Sequence, residues 1–97
     1  MKDMSYIAYF DVYAPLLTEV QKEIFEAYYG YDLSLAEIAA ERGTTRQSVM
    51  DTLTKTRREL DELETRLGFS EKNERIKAFA LTLPDPDRDK LLDILEK

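Results

Sequence analysis

The stretch LSLAEIAAERGTTRQSVMDTL, residues 33–53, reads as two helices joined at a glycine. Ser34 with Glu37 fits the S/T-x-x-E/Q capping box, in which side chains and backbone donors satisfy each other at a helix start. The short helix LAEIAAER ends at Gly43, because glycine enters the left-handed conformation without a Cβ clash. Thr44 or Thr45 caps the next helix, with Gln47 or Ser48 at the third position. A helix-turn-helix needs a small residue where its helices cross, a tight turn, and buried positions on both helices. Ala39, Gly43 and Val49 stand at the required spacing, with Ile38 and Leu53 completing the inner face. An ordinary helical hairpin in a bundle has the same spacing, so the surroundings of the motif must separate the two.

Upstream, MSYIAYFDVYAPLL sets Tyr6, Tyr9, Phe10 and Tyr13 three and four apart, an aromatic stripe on one helix that is interrupted near Pro15. Such a stripe in an acidic segment is expected to pack in a core or interface rather than stack on bases. The same holds for Tyr28, Tyr29 and Tyr31. Thr18 with Gln21 gives another capping box, opening a helix whose apolar face is Val20, Ile24, Phe25 and Tyr28, with Gly30 as its left-handed terminator.

Downstream, the second helix of the motif meets no breaker until Gly68. Its inward positions, Val49, Leu53, Thr56, Leu60, Leu63 and Leu67, follow a heptad spacing. That seam suits a partner helix from the same chain or from another copy, and Leu60, Leu63 and Leu67 are its candidate homodimer contacts. Ser70-Glu71-Lys72-Asn73 opens a further helix with Ile76, Phe79, Ala80 and Leu83 on one face. Pro84-Asp85-Pro86 breaks it, and Asp85 as N-cap with Pro86 at the first position starts a last helix carrying Leu91, Leu92 and Leu95. The expected fold is all-α: one compact domain over residues 1–97, five or six helices, with the helix-turn-helix at about 34–58 and a C-terminal helical extension at about 70–97.

At 97 residues and 43% hydrophobic, the chain is globular and the size of one domain with a modest core. It has no Cys and no His, so it has no thiolate nucleophile, no imidazole base and no zinc site of the usual kinds. Carboxylate chemistry alone is hard to single out among 20 acidic residues, which are expected on the solvated surface. Neither an enzyme nor a bound metal or cofactor is expected. No apolar run approaches the roughly 18–20 residues of a membrane span. The opening MKDMSYIAYFDVY is too polar and aromatic for a signal peptide. A cytoplasmic protein without a membrane partner is the expectation.

The net charge of −6 argues against a nucleic-acid partner, but its distribution argues for one. Residues 1–41 carry two basic and eight acidic groups, and residues 59–97 seven basic and eleven acidic. Between them, residues 42–58 carry Arg42, Arg46, Lys55, Arg57 and Arg58 against Asp51 alone. Local potential decides where a polyanion docks; the bland alternative is a solvated helix face balanced by neighbouring acids. Turning 100° per residue from Val49, the outward face carries Gln47, Asp51, Thr54 and Arg58, with Arg46, Met50, Lys55 and Arg57 on its flanks. Gln can pair with adenine and Arg with guanine, while Arg46, Lys55 and Arg57 are better placed for phosphates. Asp51 can accept from a cytosine amino group but repels phosphate. Four or five cations are few for a monomer on double-stranded DNA, so two copies on adjacent half-sites are expected.

The segment DVYAPLLTEVQKEIFEAYYGYDLSLAEIAAERGTTRQSVMDTLTKTRREL resembles the YlxM family of small bacterial helix-turn-helix proteins. The resemblance rests on FDVY (10–13), LLTE-Q (16–21), YY-x-x-DLSL-x-EIA (28–39) and TRQ-x-V-x-D (45–51) followed by Thr56, and continues more loosely to about Phe79. The family motif is in turn similar to region four of bacterial sigma factors. It implies a homodimer, a DNA-binding regulatory role, and a place in the signal recognition particle pathway, with contact to that particle's RNA or protein as the alternative to DNA. Met50 stands where the family pattern has an aromatic, and Thr54 where it has a basic residue. The ending LPDPDRDKLLDILEK lies outside the resemblance.

Overall fold

The computed structural model describes residues 2–96; Met1 and Lys97 lie outside the described residues, and with them the two ends of the expected 1–97 domain and 70–97 extension. The described residues form six α-helices: α1 (Ser5–Tyr13), α2 (Glu19–Phe25), α3 (Leu35–Arg42), α4 (Arg46–Leu67), α5 (Phe69–Ala80) and α6 (Asp87–Glu96). No strand occurs among them. The fold is all-α.

Most helix ends follow from local chemistry. Ser34 and Glu37 close a reciprocal capping box, each N–H donating to the other's side chain at 3.0–3.1 Å. Thr18 and Gln21 do the same at the start of α2. Thr45, rather than Thr44, caps α4, its hydroxyl accepting from the Ser48 N–H at 3.0 Å. Gly43 sits at φ 65°, and the Thr44 N–H closes back on the Ala39 carbonyl at 3.0 Å. That bond fixes the sharp turn from α3 into α4.

Gly30 departs from expectation. It is not left-handed: the chain after α2 opens into a wider π turn over Glu26–Gly30, closed by the Tyr31 N–H on the Glu26 carbonyl at 2.9 Å. The left-handed residue is Asp32, at φ 56°, a residue type that tolerates this region. Its carboxylate pairs with Lys2 at 2.7 Å.

α4 is the column on which α1, α2 and α3 pack. One cluster joins Ile24, Ile38, Ala39, Val49 and Leu53; the second joins Tyr13, Leu17, Phe25 and Leu60. The aromatic stripe of α1 is packing. Phe10 stacks on Phe25 and Phe25 on Tyr29, each at 4.3 Å between ring centres, and the Tyr6 hydroxyl donates to Asp61 at 2.9 Å. On α2 the expected apolar face is rotated: Val20 is exposed and Gln21 is buried. The capping box turns Gln21 inward, where its amide donates to Glu59 at 3.0 Å.

The heptad seam finds its partner inside the chain. Val49, Leu53, Thr56 and Leu60 are buried by α1, α2 and α3, and Leu60 is 0% exposed. Leu60, expected at a homodimer contact, is thus covered by the chain's own core cluster. Leu63 is half-buried against the same cluster, whereas Leu67 is 43% exposed. The buried Thr56 hydroxyl is satisfied by the Thr52 carbonyl at 2.8 Å.

α5 begins at Phe69, one residue before the expected Ser70 start, and Ser70 is buried. Its cap is tertiary. Glu64, near the end of α4, accepts from the Ser70 and Glu71 N–H groups, both at 3.0 Å, and from the Tyr13 hydroxyl at 2.7 Å. The Tyr13 hydroxyl in turn accepts from the Phe69 N–H at 3.1 Å. Burial pushes the Glu64 carboxyl up, but the three hydrogen bonds outweigh it and leave it below its usual 4.5. A lowered folded-state value means that this stabilisation is present above the unfolded value and is lost as pH falls through the folded one. Glu64→Ala is expected to cost about 1–3 kcal/mol at neutral pH, from orphaned helix-start donors. In urea titrations the difference from wild type should shrink in acid; a constant difference would contradict the charged cap.

α5 and α6 form a hairpin that extends the molecule to 50 × 26 × 25 Å. Of the expected α5 face only Ala80 is buried, while Phe79 is exposed, because α6 covers the helix from one side. α6 starts at Asp87, after the expected Asp85 and Pro86, and Asp85 pairs with Arg88.

Candidate nucleic-acid interface

The α3–α4 hairpin is locked from within, which frees its outer face for contact. Ile38, Ala39, Val49 and Leu53 are all at most 5% exposed. The opposite face of α4 carries Gln47, Asp51, Thr54 and Arg58, with Arg46 and Lys55 on its two sides, all exposed. Met50 and Arg57 are half-buried beside them. The N-terminal turn of α4 and that of α3 share one open cleft, lined by Ser34, Leu35, Ala36, Arg46, Gln47 and Met50.

The five cations of the basic segment are not equivalent. Arg42 is paired with Glu23 at 2.8 Å, so it is turned toward α2. Arg57 is folded back, donating to the Tyr29 hydroxyl at 3.0 Å and lying 3.8 Å from the Met50 sulfur. It braces α4 against the π turn. Arg46, Lys55 and Arg58 have no ion pair among the described residues and project to solvent. Gln47 donates to Asp51 at 2.8 Å across one helical turn.

Hydrogen bonds with Ser34, first its backbone N–H donating at 3.0 Å and then its side chain, hold the Glu37 carboxyl below its usual value. Two further groups border this face: Tyr29, expected only to pack, accepts from Arg57, and Ser34–Ala36, expected only to start a helix, line the cleft beside Arg46, Gln47 and Met50. Both approaches are tertiary, and only the capping box signals in the sequence that a helix end lies there. Among the described residues no group of three or more His, Cys, Asp or Glu is placed to hold a metal ion, and no helix is long and apolar enough to cross a membrane.

Residues 1–94 match the family model described as "Putative helix-turn-helix protein, YlxM / p13 like". The chain belongs to this family. It is 49% identical over 76 residues to a UPF0122 protein of Symbiobacterium thermophilum, covering 77% of this chain and 71% of that one. It is 40% identical over 99 residues to a UPF0122 protein of Bacillus licheniformis, covering 97% and 91%. A third relative, from Desulforamulus reducens, is 48% identical over 62 residues, but the match spans only 53% of that protein. The family model extends into α6 as far as residue 94, well beyond Phe79, where the resemblance read from the sequence fades.

Proposed function

We propose that this chain is a cytoplasmic DNA-binding regulator that lays the N-terminal half of α4 in a major groove. One observation carries the reading: an α3–α4 hairpin packed through Ile38, Ala39, Val49 and Leu53 presents Gln47, Asp51, Thr54 and Arg58 on its outward face, with Arg46 and Lys55 exposed on either side. Arg46, Lys55 and Arg58 supply the phosphate contacts, and Gln47, Met50, Asp51 and Thr54 face the base edges. Arg57 acts through position, as the brace on Tyr29, rather than as a primary contact. Three outward cations per chain favour a homodimer on adjacent half-sites, for which Leu67 and the edge of Leu63 remain available on α4. The test is an amide NMR titration with a short duplex. Shifts are expected at residues 34–37 and 46–58; shifts confined to α5 and α6 would overturn the assignment.

A second reading is favoured by the α5–α6 hairpin, whose Phe69, Phe79, Leu81 and Ile94 are exposed. Such a surface suits a protein partner, and the family resemblance suggests a signal recognition particle component. Co-purification with that particle, abolished by Phe79→Asp, is the expected outcome under this reading.

A further inference from the structure

We infer that Asp51, held by Gln47, is the residue that selects cytosine in the bound sequence; this rests on the DNA-binding reading above. Asp51 is the only acid among residues 42–58, and it stands exposed on the outward face of α4. On affinity alone it is in the wrong place, since a carboxylate there repels the phosphates that Arg46, Lys55 and Arg58 would attract.

The geometry gives it a different use. Gln47 spends one amide proton on Asp51 Oδ1 at 2.8 Å. This restrains the carboxylate on the helix face and leaves its second oxygen as an anionic acceptor. In the major groove only cytosine N4 and adenine N6 donate, whereas guanine presents two acceptors and thymine an acceptor and a methyl. Adenine carries its N7 acceptor beside N6, which repels a carboxylate that reaches for the donor. Cytosine presents its amino group beside a C–H and no second acceptor. The carboxylate therefore favours cytosine, disfavours guanine most, and lowers affinity for duplexes lacking the correct base. Gln47 is the positioning residue and keeps its carbonyl oxygen for a neighbouring donor.

The experiment is selection from a duplex library with a randomised core, sequenced after retention by wild type, Asp51→Ala and Gln47→Ala. Wild type should enrich cytosine over guanine at one position of each half-site by roughly tenfold, the scale of one good base contact. Asp51→Ala should lose that enrichment while holding random duplex several-fold more tightly, and Gln47→Ala should retain it in weakened form. Both side chains are exposed, so melting curves should be unchanged. Tighter binding by Asp51→Ala with the same base preference would overturn the proposal and leave the DNA-binding reading standing. Retention of no duplex by wild type would overturn both.

Discussion

Leu60→Ala should lower the stability of the fold by about 2–5 kcal/mol, the range for emptying a fully buried aliphatic site. For a domain of this size that is a fall in melting temperature on the order of 10–25 °C. The side chain is 0% exposed and belongs to the cluster of Tyr13, Leu17 and Phe25, so truncation leaves a cavity among groups from three helices. Leu67→Ala, at a 43% exposed site, should stay within about 0.5 kcal/mol for the isolated chain. The contrast separates an internal seam from one shared between copies. An internal Leu60 gives the same loss at every protein concentration, whereas an intermolecular one gives a loss that varies with concentration. Thermal melts at two dilutions decide the matter.

Arg46→Ala combined with Arg58→Ala should remove most of the affinity for duplex DNA at low salt. Each lost phosphate contact lowers the slope of log affinity against log salt by about one. The advantage of wild type over the double variant should therefore narrow roughly tenfold between about 50 and about 200 mM salt. Arg42→Ala is the control. Its guanidinium is already paired with Glu23, so its removal should change binding far less. Equal losses from Arg42 and Arg46 would mean that charge on the segment, rather than the face of α4, attracts the polyanion.

What was legible in the sequence was local. Ser34 and Glu37, Thr18 and Gln21, and Gly43 announce themselves because capping and left-handed turns are decided within a few residues. The inward face of α4 was legible for the same reason, a fixed helical period over an unbroken run. The identity of its partner was not. A heptad seam specifies that something must cover Leu60 without saying whether that is α1 or a second chain. Gly30 misled because an alternative closure, the π turn, terminates the helix without a left-handed glycine. The Glu64 cap of α5 depends on Tyr13, 51 positions away in sequence, and has no local signature. The candidate interface divides the same way. Periodicity placed Gln47, Asp51, Thr54 and Arg58 on one face, while tertiary pairing withdrew Arg42 to Glu23 and Arg57 to Tyr29.

The most direct measurement is fluorescence anisotropy of a labelled random duplex titrated with the intact chain at low and at physiological salt. A helix-turn-helix that reads DNA through Arg46, Lys55 and Arg58 gives saturable binding at low salt that weakens steeply as salt rises. An anisotropy that stays flat at low salt, with the chain folded, would contradict it.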